Sequence, residues 1–162
     1  MTLNKDKRFP ARPRLPSPLY SGTKRYFITI NTYGRERIFV NDYNFQSVKN
    51  VLVKTCENGR FLLWAFCFMP DHVHLFLEGI KIDSDLQRFI KIFKQMSGYT
   101  FKKQTGKKLW STSFYDHILR KEECAVEVIK YILNNPVRKG LVSLWYEYSY
   151  SGSFELEKEE LL

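Results

Sequence analysis

Phe61-Leu62-Leu63-Trp64-Ala65-Phe66-Cys67-Phe68-Met69-Pro70-Asp71-His72-Val73-His74-Leu75-Phe76-Leu77-Glu78 reads as two strands joined by a two-residue turn, and the rest of the fold is organised around that hairpin. Phe61 to Met69 is a continuous apolar run, the pattern of a central strand. Pro70-Asp71 supplies the turn chemistry for a tight hairpin. In the returning strand, residues two apart share a face, so His72 and His74 present two imidazoles together while Val73, Leu75 and Leu77 point toward a core. Two such imidazoles can ligate one metal ion; taken alone, a pair of solvent-facing histidines explains the same spacing.

On the N-terminal side of the hairpin, Tyr26-Phe27-Ile28-Thr29-Ile30-Asn31-Thr32 is rich in β-branched and aromatic residues and predicts a first strand. Asn41 is placed to cap a helix whose Phe45, Val48, Leu52 and Cys56 recur at helical spacing up to Asn58-Gly59. A second helix is expected to open on the capping-box pattern Ser84-x-x-Gln87, with Leu86, Phe89, Ile90 and Phe93 on one face. Phe114 to Arg120 suggests a short strand. A last helix is expected from near Glu122 to before Pro136, with Ala125, Val128, Ile129 and Ile132 as its apolar stripe. The order β-α-β-β-α-β-α predicts an α+β fold, a ferredoxin-like sandwich with a mainly antiparallel sheet.

The chain has 162 residues, 44% of them hydrophobic, which suits one sizeable core. Its formal net charge of +9 suits a polyanionic partner, of which nucleic acid is the commonest. Cys56, Cys67 and Cys124 are widely spaced among apolar residues, as reduced core thiols are, and point to a cytoplasmic location. No segment approaches the ~20 apolar residues of a membrane span. Residues 1–24 form a basic tail with Pro10, Pro13, Pro16 and Pro18, suited equally to lying along phosphates or to standing in solvent. Residues 25–153 make up the expected domain, and residues 154–162 an acidic tail.

Tyr131 and Asn135 are four residues apart, so a continuous helix would stack a phenol and an amide on one face, off the apolar stripe. The set Met69-Pro70-Asp71-His72-Val73-His74-Leu75, then Ser113-Phe114-Tyr115-Asp116-His117-Ile118-Leu119-Arg120, then Tyr131-Ile132-Leu133-Asn134-Asn135-Pro136-Val137-Arg138-Lys139-Gly140-Leu141-Val142 resembles the single-tyrosine, His-hydrophobic-His transposases. Within them it is most similar to the group associated with repetitive extragenic palindromes (REP), over residues 26–153.

The resemblance implies a metal held by His72, His74 and Asn135, with Tyr131 as the nucleophile. Two imidazoles and an amide oxygen leave positions for phosphate and water, which suits Mg²⁺ or Mn²⁺. The implied reaction nicks and rejoins single-stranded DNA beside hairpins through a 5′-phosphotyrosine, with no nucleotide cofactor. A non-catalytic hairpin-binding descendant is the alternative, and the intact His72, His74, Tyr131 and Asn135 argue against it. The wider family also places the tyrosine helix in a partner's active site, so monomer and homodimer are both open.

Asp116, His117 and Arg120 match the family's segment before the tyrosine helix; Arg120 is a candidate for phosphate contact and His117 for DNA contact or proton transfer, with purely local hydrogen bonding by Asp116 and His117 as the alternative. Glu127, one turn before Tyr131, is either an orienting group or an exposed helix glutamate. Arg88, Lys91, Lys94, Lys102, Lys103, Lys107 and Lys108 form a basic series with no acid between Leu86 and Tyr115. With Tyr99, Phe101 and Trp110 interleaved, the series suits phosphate contact and base stacking, and a solvated helix face is the alternative.

Overall fold

The computed structural model describes residues 16–162; of the tail expected over residues 1–24, the part before residue 16 lies outside them. The hairpin forms as its sequence predicts. Strands β2 (Phe61–Met69) and β3 (His72–Gly79) pair antiparallel, with Met69 opposite His72 across the Pro70-Asp71 turn. On the other side of β3 lies β1 (Arg25–Asn31), also antiparallel, which sets Thr29 opposite His74 and Asn31 opposite His72. The short strands β4 (Tyr115–Ile118) and β5 (Ser151–Gly152) close the edges, giving the order β4-β1-β3-β2-β5.

Helix α1 (Asp42–Gly59) connects β1 to β2, and α2 (Leu86–Thr105) connects β3 to β4. Each crossover skips one strand, the arrangement of a ferredoxin-like split βαβ unit, so the α+β expectation holds. Both helices pack on one face of the sheet. Tyr26, Ile28, Ile30, Val73, Leu75 and Leu77 meet Phe45, Leu52, Phe89 and Phe93 there in one apolar core. Full burial of each such side chain contributes about 1.5–3 kcal/mol. The opposite face carries a smaller core of Ala65, Cys67, Met69 and Phe76 beneath Ile129, Ile132 and Leu133 of α3 (Ala125–Leu133).

Local chemistry departs from several expectations. Asn41 caps α1 as read, its Oδ1 accepting from the Asn44 N–H at 2.9 Å. The cap of α2, however, is Asp85, whose Oδ1 accepts from the Arg88 N–H at 3.0 Å. Ser84 is buried and donates instead to the Arg60 carbonyl at 2.8 Å. Helix α3 begins only after Cys124, and Glu123 just upstream of it is engaged with His117. It ends at Leu133, so Asn135 opens a separate turn, α4 (Asn135–Arg138), rather than continuing the tyrosine helix. Pro136 lacks an N–H, which suits the first turn of a new helix better than the interior of an old one.

Cys56 and Cys67 are buried, and burial pushes each thiol up to about 12, but Cys124 is exposed at the start of α3. Phe101 and Trp110, read as stacking aromatics, belong to the core, and the Trp110 indole N–H donates to Ser97 Oγ at 2.9 Å. Packing also begins before residue 25. Tyr20 is buried, and a Cβ on Gly79 would stand 2.0 Å from the Gly22 carbonyl oxygen, an approach that only glycine allows. At the other end, Leu161 of α5 (Lys158–Leu161) is buried against the smaller core.

Candidate active site

Alternation along β3 puts His72 and His74 on the α3 side of the sheet, both buried and with rings nearly perpendicular. Their Nε2 atoms converge at 3.1 Å. Adjacent ligands of an octahedral ion bound at ~2.1 Å stand ~3.0 Å apart, so the pair fits two neighbouring positions of one divalent ion. Among the described residues, no group of three or more His, Cys, Asp and Glu gathers as a cation site, so a further protein ligand would be of another type.

The outer nitrogens are held by Asp71, the turn residue before His72, and by Thr29, the strand partner of His74. Asp71 Oδ1 accepts from His72 Nδ1–H at 2.6 Å, and Asp71 Oδ2 accepts from Arg35 Nε–H at 3.0 Å. His74 Nδ1 and Thr29 Oγ1 are 2.8 Å apart. With His72 donating to Asp71, its Nε2 carries a lone pair. His74 therefore donates from Nε2 in this arrangement and accepts the Thr29 hydroxyl proton at Nδ1. A hydroxyl serves as donor or acceptor by rotating, so Thr29 equally supports a His74 whose Nε2 is free to ligate.

Burial and the neighbouring charges favour the neutral form of both rings. Burial lowers His72, an effect partly offset by its bond to Asp71, and Arg35 and Lys139 push it down further. Burial lowers His74 well below the usual imidazole range, helped by His72, Arg138 and Arg35. Burial alone would raise Asp71, but His72 and Arg35 outweigh it and hold the carboxyl below its ordinary range. Neutral imidazole is the ligating form.

Phe27 connects the histidines to the tyrosine. Its ring stacks on His74 with centroids 5.5 Å apart and meets the Tyr131 ring edge-on at 6.0 Å. Tyr131 is 37% exposed, open to a large substrate, whereas Tyr148 donates its hydroxyl proton to the Phe68 carbonyl. Asn135 is buried at the start of α4. Arg138 ties the two together. Its guanidinium lies 4.0 Å from the Tyr131 ring centroid, donates to the Tyr131 carbonyl at 3.0 Å, and donates to Asn135 Oδ1 at 2.7 Å. A carbonyl oxygen has two lone pairs, so the bond from Arg138 leaves Asn135 Oδ1 one more to offer.

His117 stands opposite Phe27 in β4, on the same side of the sheet as the histidine pair, and bonds to the Glu123 carboxylate at 2.9 Å. Arg120 and Glu127 are exposed. Lys91, Lys102 and Lys103 project from α2 into solvent, on the far side of the sheet from His72 and His74. Lys94 instead braces the chain after α2, donating to the carbonyls of Ser111 at 2.6 Å and Thr112 at 3.0 Å. Sequence reasoning did not single out Thr29, Phe27, Arg35 or Arg138 for the site. Arg138 was within reach, since it lies seven residues after Tyr131; the others join the site only through strand and loop pairing.

The molecule is thus an α+β protein in which a paired-histidine strand and a tyrosine helix share one side of a ferredoxin-like sheet. Its sequence matches the family described as "Transposase IS200 like" over residues 22–135, and the chain belongs to that family. A REP-associated tyrosine transposase of Escherichia coli K12 is 25% identical over 128 residues, covering 78% of this chain and 74% of that protein. A Haemophilus influenzae Rd protein provisionally named a REP-associated tyrosine transposase is 26% identical over 147 residues, covering 84% and 83%. The fold is also that of a REP-associated tyrosine transposase solved bound to a REP hairpin, with TM-score 0.68 and 21% identity over 92% of this chain and 82% of that one.

Proposed function

We propose that this transposase nicks and rejoins single-stranded DNA beside a hairpin through a covalent 5′-phosphotyrosine on Tyr131. The observation that carries the reading is the Phe27 ring, which touches both His74 and Tyr131 within one chain and so sets nucleophile and imidazoles on a common surface. The Tyr131 oxygen attacks the scissile phosphorus while the bond to the 3′ oxygen breaks. The phenol proton passes to solvent, and the departing oxygen takes one up as a 3′-OH. Because the phosphotyrosine retains an ester of similar energy, a 3′-OH can reverse the step and rejoin strands. His72, His74 and Asn135 would hold Mg²⁺ or Mn²⁺, which when bound neutralises charge on the phosphate oxygens.

The chain's own groups supply the positioning. Arg138 fixes the plane of the Tyr131 ring and adds positive charge at the phosphodiester, while His117 and Arg120 lie on the segment before α3 to contact DNA. The partner follows from the charge and the relatives: hairpin DNA with an adjoining single strand, held in part by Lys91, Lys102 and Lys103. The test is to incubate hairpin-containing single strands with the protein and Mn²⁺ or Mg²⁺ and resolve the products on a denaturing gel. A protein–DNA adduct is expected from the wild type and none from Tyr131→Phe; an adduct in that variant overturns the assignment.

A further inference from the structure

We propose that an unpaired DNA strand reaches the histidine pair over a ledge made by Tyr33, Lys108 and Arg35, with one base stacked on Tyr33 and the neighbouring phosphate held by Arg35. The proposal rests on the reading above and names where the single strand beside the hairpin lies.

The ledge is the turn between β1 and α1, and it is firmly built. The Tyr33 N–H donates to the Leu109 carbonyl at 2.8 Å, and the Ser111 N–H donates to the Asn31 carbonyl at 3.0 Å. Ser111 Oγ donates to the Thr32 carbonyl at 2.8 Å, and the Thr32 N–H donates to the Asp71 carbonyl at 3.0 Å. The turn is therefore fastened both to the chain leaving α2 and to the hairpin turn that precedes His72. On this frame Tyr33 is 55% exposed, with the Lys108 ammonium 4.8 Å from its ring centroid. An aromatic face beside a cation is the surface that binds a base and its phosphate together.

Arg35 carries the ledge to the histidines. Gly34 and Arg35 have φ of 61° and 57°, and a left-handed conformation costs an arginine what it does not cost a glycine. Two bonds hold it there: Nη1–H to Asn31 Oδ1 at 2.6 Å and Nε–H to Asp71 Oδ2 at 3.0 Å. Asn31 is the strand partner of His72, and Asp71 is the acceptor for its ring. The bonds use Nη1 and Nε, and the remaining nitrogen, Nη2, has two N–H groups for a phosphate oxygen.

Charge favours a polyanion along this route. No acid occurs between Leu86 and Tyr115, and Glu36, the acid nearest the ledge in sequence, is paired with Lys107. The charged residues of the chain from Lys102 to Lys108, which leads up to the ledge, are therefore all basic. In a duplex the base faces are covered by their neighbours, so stacking on Tyr33 selects an unpaired strand.

Fluorescence anisotropy of the full chain in EDTA, at one fixed salt concentration, tests this with three labelled probes: a blunt hairpin, the same hairpin with a single-stranded extension, and an unstructured single strand. Tyr33→Ala is expected to weaken binding of the extended hairpin and of the unstructured single strand by about 5- to 150-fold. It is expected to leave the blunt hairpin unchanged, and Tyr33→Trp should bind as the wild type does. Equal weakening on all three probes, no weakening on the extended hairpin, or no binding of the single strand by the wild type overturns the proposal. If no Tyr131 adduct forms yet single-strand binding depends on Tyr33, the ledge stands and the catalytic reading falls. If adducts form and binding is indifferent to Tyr33, the catalytic reading stands and the ledge falls.

Discussion

The two faces of the sheet are cut from the same strands and serve opposite ends. On the α1/α2 face, β1 and β3 present Tyr26, Ile28, Ile30, Val73, Leu75 and Leu77, each 0% exposed and all apolar in body. On the α3 face the alternate residues, Phe27, Thr29, His72 and His74, form a polar site bordered by Tyr131 and Arg138. The first face holds the strands in register, and that register is what lets the second hold two imidazoles at a fixed separation. A slip of one residue in β3 would bury the imidazoles under α1 and α2 and turn the leucines toward the α3 face.

Neighbouring substitutions on opposite faces test this separation most sharply. His74→Gln should reduce adduct formation a hundredfold or more, since a bound metal would lower the barrier by on the order of several kcal/mol, while its melting temperature stays near that of the wild type. Leu75→Ala should do the opposite. It removes a fully buried side chain and should cost about 2–5 kcal/mol in denaturant unfolding, with adduct formation retained at low temperature. If Leu75→Ala abolished adducts while folded, or His74→Gln unfolded the chain, the two faces would not be separable.

Asp71→Asn probes how the polar face is organised. The amide can still accept from His72 Nδ1–H, but it lacks the charge that favours that proton and that pairs with Arg35. Mn²⁺ titration should show affinity lower by about 10–100-fold, the usual effect of altering a group that orients a ligand. Stability should change little, because the Arg35 partner is more than half exposed, and such pairs contribute about 0–1 kcal/mol.

Proton linkage distinguishes the faces again. His72 and His74 titrate below the usual imidazole value when folded, so the unfolded chain binds protons more readily as pH falls through ~6.5. Stability measured in EDTA should therefore be fully present above that pH and decline below it until the folded-state values are passed. Asp71, also lowered, adds a further loss only below ~4. His74→Gln should flatten the first part of this decline, and Leu75→Ala should shift the whole curve down without changing its slope.

What could be read in the sequence divides along a physical line. Period-two and period-3.6 patterns act within one element, which is why the hairpin, α1, α2 and the shared face of His72 and His74 were legible. Caps compete locally: Ser84 and Asp85 are both good caps, and only the burial of Ser84 against Arg60 decides between them. Trp110 and Phe101 looked available for stacking because a one-dimensional pattern cannot show that the chain after α2 folds back onto β1 at Thr32. The supports of the site were hidden for the same reason: Thr29, which bonds His74, arrives by strand pairing, and Arg35, which bonds Asp71, arrives with the turn after β1. The placing of Asn135 beyond the end of α3 turned on whether Pro136 would stop a helix or start one.

The lysines of α2 should give the mildest change of all, and they bear on the two faces most directly. Lys102 and Lys103 lie across the sheet from the histidines, so they can attract phosphates but cannot reach the bond being broken. Replacing either with alanine should lower the slope of log affinity against log salt by about one and weaken hairpin binding uniformly across sequences. At saturating DNA the rate of adduct formation should be unchanged. A lysine variant that slowed the reaction at saturation would mean that DNA wraps the edge of the sheet tightly enough for the two faces to act as one site. A change confined to affinity would mean that binding is distributed over both faces while chemistry stays on one.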